Sequence, residues 1–105
     1  MTALRGQIYW VDIGEGEKPW VVVSNNLRNR KLDDVLAVRA TTTPKPGIPT
    51  AVPFSAADPL VGSILADDIA HIFHDEIAKG RPAGSLSPGT VIKLNKALAI
   101  ALGLP

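Results

Sequence analysis

The chain contains no cysteine. That excludes disulfide scaffolds, thiolate zinc sites, iron–sulfur clusters and cysteine nucleophiles together. It agrees with a reducing cytoplasm, which is the expected location. The two histidines, His71 and His74, belong to no metal-spaced cluster, so neither a metal centre nor any other cofactor is expected. No apolar run approaches the ~20 residues needed to cross a bilayer. Residues 1–9 lack a signal-peptide core and read as folded protein. Charge of one sign is also lacking. Eleven basic side chains face ten acidic ones, a formal net charge of +1. Near-neutrality argues against coating nucleic acid through bulk charge, though it leaves room for a local basic groove. There is no internal repeat and no low-complexity tract.

What is present is an ordinary globular composition, 46% hydrophobic and 20% charged over 105 residues. Residues 1–105 are expected to form a single domain with one core. The first two thirds read as short strands and turns. Arg5 to Ile13 is rich in β-branched and aromatic residues, and Pro19 to Ser24 forms a second such run. Residues 28–34 read as a polar, basic connection. Val35 to Thr43 reads as a third strand. Pro44, Pro46, Gly47 and Pro49 break regular structure. Ala51 to Phe54, flanked by prolines, suits a short edge strand. A strand starting at Ser63 reaches toward Phe73, and a helical turn over His74 to Lys79 is ended by Gly80. The clearest helix follows Ser87 as N-cap and Pro88 at its first position. Val91, Leu94, Leu98, Ala101 and Leu102 recur at helical spacing, and Gly103 terminates it. The predicted fold is mainly β with a C-terminal helix, a small curved sheet or barrel.

The third strand carries the most chemical information. Alternation puts Leu36, Val38, Ala40 and Thr42 on one face, expected to point to the core. Val35, Ala37, Arg39 and Thr41 share the other. A guanidinium and a hydroxyl two residues apart on one strand face suit a phosphate; an exposed structural Arg is the plainer alternative. On the second strand Lys18, Trp20, Val22 and Ser24 share a face. A Lys beside a Trp there suits a phosphate and a stacked base, against the commoner role of Trp as core. Arg28, Arg30 and Lys31 could touch a phosphate backbone, or form a solvated loop. Asp67 and Asp68 are adjacent and point to opposite strand faces, so a carboxylate dyad is not expected. The histidines read as structural or exposed rather than as proton shuttles.

Five segments, in order, give the chain a resemblance to the MazF/PemK toxin family. Arg5-Gly6-Gln7-Ile8-Tyr9-Trp10-Val11-Asp12 resembles the family's opening strand. Lys18-Pro19-Trp20-Val21-Val22-Val23-Ser24 is similar to its R-P-V-V-V-x-S segment. Val35 to Thr42 resembles its third strand, Ser63 to Ile69 its S-x-(V/L)-x-(D/C)-Q-(V/I) strand, and Gly84 to Ser87 the approach to its last helix. The resemblance implies an SH3-like β-barrel with a C-terminal helix, usually a homodimer. It implies the toxin of a type II toxin–antitoxin pair. Such a toxin cuts single-stranded RNA at short motifs without metal. The 2′-hydroxyl attacks the neighbouring phosphate, leaving a cyclic phosphate and a 5′-hydroxyl. The expected partner is an antitoxin with an acidic, poorly ordered tail that covers the RNA groove.

The family's catalytic Thr falls on Thr41 and its catalytic Arg on Lys18. Lys lacks the planar fork that grips two phosphate oxygens. Arg39 stands where the family more often has Pro, and is expected to supply the missing guanidinium. The catalytic set is thus Lys18, Arg39 and Thr41. Trp20, Ser24, Arg28, Arg30, Lys31, Thr42 and Asp68 are expected to contact RNA. The alternative is a non-catalytic toxin on the same barrel, as in the related CcdB toxins, which bind gyrase. A plain SH3-like interaction domain is a third reading.

Overall fold

The computed structural model describes residues 2–105. Its elements in chain order are β1 (Gln7–Asp12), β2 (Glu17–Val22), α1 (Asn26–Lys31), β3 (Asp34–Thr41), β4 (Ala51–Pro53), β5 (Ser63–Phe73), α2 (His74–Lys79), β6 (Arg81–Ser85) and α3 (Pro88–Leu102). The six strands form one antiparallel sheet in the order β4-β5-β3-β2-β1-β6. It curls into a half-barrel closed by the C-terminal helix, as the strand-then-helix pattern leads one to expect. Asp12 shapes the β1–β2 hairpin: its Oδ1 accepts from the N–H groups of Gly14 at 2.8 Å and Gly16 at 3.1 Å.

Both faces of the sheet are buried. On one, Tyr9, Val11, Trp20, Val22, Val35, Ala37 and Ile72 pack with Ala3 and with Ile77 of α2. On the other, Ile8, Val21, Val38, Ile64 and Ala66 pack with Val52, Leu86, Leu94 and Ala97. The prediction gave only the Leu36–Val38–Ala40–Thr42 face of β3 to the core. Instead Val35 and Ala37 are fully buried, Leu36 is only half-buried, and Thr42 lies beyond the strand end. The reason is that β3 is an interior strand of the sheet. Helix α2 covers one face and α3 the other, so alternation in β3 no longer separates core from solvent. Each fully buried Ile or Val here contributes roughly 1.5–3 kcal/mol.

Two elements differ from the sequence reading. The basic connection contains a short helix, α1, whose N-cap Asn25 accepts from the Arg28 N–H at 2.8 Å. Strand β6 has Pro, Ala and Gly at its centre and little β propensity; it forms because it lies at the sheet edge against β1. Helix α3 begins and ends as predicted: Ser87 caps it, Pro88 opens it, and Gly103 closes it at φ +68. Its buried line runs through Thr90, Leu94 and Ala97, with Val91 and Leu98 partly covered. Leu102 falls off that line and is exposed, as are Ile92, Ile100 and Leu104. None of the described helices is long and apolar enough to cross a membrane.

Asp58 ties the β4–β5 loop to the start of α3. It accepts from the Ser87 N–H at 2.7 Å and the Thr90 hydroxyl at 2.6 Å, and from the N–H and hydroxyl of Ser55. Burial alone would raise its pKa, but these four donors together lower it to about 2. A depressed carboxyl pKa stabilises the fold above the unfolded value of about 3.9, and that contribution is lost as pH falls toward 2. Wild-type melting temperature should therefore drop between about pH 4 and pH 2. Asp58→Asn should melt lower at neutral pH and show a shallower drop across that window. Thermal melts at stepped pH check it.

Candidate active site

The face of the sheet that carries Trp20 changes character along its length. At one end it is apolar and covered by α2. At the other it carries Lys18, Arg39 and Thr41. Trp20 stands directly opposite Arg39 on the β2–β3 ladder. Continuing that register by two residues aligns Lys18 with Thr41, just past the last ladder pair. Arg39 and Thr41 are neighbours on one strand face, about 6.6 Å apart. Strand β5 makes room for them. Val38 pairs with Ile69 and Ala40 with Ile64, so four residues of β5 stand against Arg39 alone. This bulge bends β5 toward β4, and bulges of this kind re-aim side chains beside functional sites. Asp68 lies within it, half-buried, with the same parity as Ala70 and Ile72 on the Trp20 face.

Thr41 is half-buried. Its Oγ1 accepts from the Thr43 N–H at 3.2 Å. The hydroxyl hydrogen is left to donate outward. Thr42 follows, exposed, at the mouth. Ion pairs among the described residues join Arg28 and His71 to Asp34, and Arg81 to Glu17. Lys18 and Arg39 take part in none of them, so their charges face the site uncancelled. Arg39 Nε and Trp20 Nε1 are buried without a hydrogen-bond partner. Leaving such a donor unmet costs about 1–3 kcal/mol.

Other predicted contacts lie elsewhere. Ser24 is buried: its hydroxyl donates to Asn29 Oδ1 and accepts from the Leu36 N–H at 2.9 Å. Asn29, fully buried, in turn donates to the Ser24 carbonyl at 3.0 Å. Ser24 thus anchors α1 to β3, and an RNA strand cannot reach it. The Trp20 ring is 4% exposed and packed in the core, so it offers no face for a base to stack on. Arg28 is held by Asp34, at 2.8 Å to its carboxylate and 3.0 Å to its carbonyl. Arg28 and then His71 hold the Asp34 carboxyl below the usual range. Arg30 and Lys31 are exposed on α1. This helix adjoins the start of β3, some 23 Å along the strand from Thr41. The basic cluster and the Thr41 site are therefore separate. His74 is structural, its Nε2 lying 2.9 Å from the Asn29 carbonyl and 3.0 Å from that of Leu32.

A guanidinium without an ion pair, an ammonium and a hydroxyl, placed on one sheet face beside a bulge by strand parity, suit a phosphodiester. Residues 4–102 match the family of PemK-like, MazF-like toxins of type II toxin–antitoxin systems. The chain belongs to that family. It is 52% identical over 102 residues to endoribonuclease MazF1 of Mycobacterium bovis and to endoribonuclease MazF4 of Mycobacterium tuberculosis. Those alignments cover 97% of this chain and 94% of each relative. Among solved structures, it is similar to an endoribonuclease in complex with its cognate antitoxin from a mycobacterial species. That match has 50% identity and a TM-score of 0.92, covering 98% of this chain and 97% of the other. A MazE–MazF complex from Deinococcus radiodurans has the same fold at 20% identity and a TM-score of 0.84, covering 100% and 99%.

Three contributions to this MazF-like site are not legible from residue types. The Thr43 N–H sets the Thr41 hydroxyl, which is a backbone act that any residue but Pro could perform. Gly62 lies against the Thr41 carbonyl. Glu17, next to Lys18, is drawn away by Arg81, which also lies over the Trp10 ring at 5.6 Å from its centroid. The Arg81 contact holds the Glu17 carboxyl below its usual range, on the sheet face opposite Lys18.

Proposed function

We propose that this chain is the toxin of a type II toxin–antitoxin pair and cuts single-stranded RNA at specific short motifs. What supports the reading is that strand parity puts Lys18, Arg39 and Thr41 on one face of the sheet, beside the β5 bulge. Their chemistry divides three ways. Arg39 and Lys18 neutralise the charge that builds on the phosphorane as the 2′-hydroxyl attacks. Thr41 donates to a non-bridging oxygen. The 2′-hydroxyl gives its proton to solvent as the P–O2′ bond forms; Arg keeps its proton throughout, so Lys18 protonates the 5′-oxygen as the P–O5′ bond breaks and regains its proton from solvent. The products are a 2′,3′-cyclic phosphate and a 5′-hydroxyl. Thr42 at the mouth contacts the strand, and Asp68 accepts from an amino group of a base. None of these steps calls for a metal ion.

The similarity to endoribonucleases at 52% identity supports RNA cleavage over a gyrase-binding role. The relative solved with its cognate antitoxin supports an antitoxin partner here, whose acidic tail would meet the unpaired cations. The exposed apolar side of α3 supports self-association as a homodimer, and a site in the cytoplasm follows from the substrate. Incubating purified protein with a long single-stranded RNA and a chelator is expected to give discrete fragments ending in cyclic phosphate. Intact RNA, from protein that still arrests growth, would overturn the reading.

A further inference from the structure

We infer that Trp20 is a phosphate-binding residue of this site, its indole N–H serving beside Arg39 as a donor to a non-bridging oxygen of the RNA. The inference rests on the ribonuclease reading and extends it to a residue that the sequence offers only as a base-stacking platform. Among the described residues, two buried side-chain nitrogens have no hydrogen-bond partner, Trp20 Nε1 and Arg39 Nε. They belong to residues directly opposite one another on the β2–β3 ladder. Cross-strand partners have their Cβ atoms about 4.5–5.5 Å apart, so the two orphans belong to neighbouring side chains of one sheet face.

Both groups can only donate, so what they lack is an acceptor. A neutral donor beside a guanidinium is best met by an oxyanion with two oxygens to offer. Lys18 and Thr41 converge on the same corner and ask for the same ligand. Asp68 shares the face, but it makes no ion pair with Arg39. The two nitrogens are buried in the free protein, so a side chain must shift before an oxygen reaches them. Arg39 is half-buried and its side chain has no hydrogen bond or ion pair to break among the described residues. Trp20, packed in the core, stays in place. Arg39 is thus the neighbour free to move, and the incoming phosphate draws it aside.

Trp20→Phe keeps the ring and removes the donor. The probe is a 2′-O-methylated copy of an RNA segment that the wild type cuts. The variant should bind it roughly tenfold more weakly. Its melting temperature should fall only modestly, since removal of an unmet buried donor offsets part of the packing lost with the smaller ring. In wild type labelled with 15N at its indoles, the Trp20 Nε1–H resonance should move when the oligonucleotide is added. A merely structural Trp20 would leave the affinity unchanged, whatever the melting temperature. That result, or an indole resonance that RNA leaves in place, overturns the inference. If wild type cuts RNA and Trp20→Phe binds and cuts equally well, Trp20 alone is misassigned. If wild type cuts no RNA, the ribonuclease reading falls with it.

Discussion

Arg39→Ala and Thr41→Val are each expected to slow RNA cleavage by about 10²–10³-fold, the usual effect of removing one preorganised donor from a developing oxyanion. Neither should unfold the protein. Arg39 makes no internal ion pair and holds an unmet nitrogen, so alanine forfeits only the packing of its half-buried stem. Thr41→Val preserves shape and loses only the hydroxyl, whose one recorded contact is the N–H of Thr43. Arg39→Lys should restore little, because an ammonium cannot make the two-pronged contact of a guanidinium. The double variant should be scarcely worse than either single one, since both act on one phosphoryl group. Single-turnover cleavage of a labelled oligonucleotide, with melting temperatures measured alongside, reads all of this. If Arg39→Ala keeps full activity while Lys18→Ala abolishes it, the guanidinium at position 39 does not replace the one lost at position 18.

Strands and helices were legible where side-chain pattern alone decides them. The span of β5, the edge position of β4, the α2 turn and both ends of α3 follow from β-branched runs, prolines and caps. The short helix α1 escaped because six residues, mostly polar, show no periodicity. Its N-cap Asn25 was the available cue. The pairing of Arg39 with Thr41 could be read because strand parity is a local rule. That Ser24 lies inside could not, because its burial depends on Asn29 arriving from α1 to meet it. The same limit explains Trp20. Alternation put its ring on the site face correctly. Only the core cluster it shares with Tyr9, Val22 and Ile77 shows that the ring is sealed, its N–H buried with it and unmet. Nor does residue type reveal the β5 bulge, which arises from two separate registers with β3 and opens the corner where the site lies.

Gly62→Ala tests how tightly that corner is built, and a loss of roughly 3–5 kcal/mol is expected, from backbone strain and overpacking together. Gly62 has φ +109, a conformation that L side chains rarely adopt. A Cβ there would lie 2.0 Å from the Thr41 carbonyl oxygen and 2.7 Å from the Thr42 Cα. These are backbone atoms at the β3–β5 junction, where Ser63 pairs with Thr41 and Phe54 donates its N–H to the Gly62 carbonyl at 3.0 Å. They cannot swing aside as a flexible side chain would, so β3 must shift as a unit and carry Thr41 with it. At 4–8 °C per kcal/mol for a domain of about this size, the melting temperature should fall by roughly 15 °C or more. Cleavage measured well below that temperature should fall too, because Thr41 leaves its place opposite Lys18. Gly47→Ala separates the causes. Gly47 has φ +78 but nothing within 4 Å of the added atom, so it carries the conformational cost alone. It should melt only slightly lower than wild type and cut RNA normally. Equal losses at the two positions would mean that close contact with Thr41 adds nothing, and that the site tolerates movement of the strand that holds it.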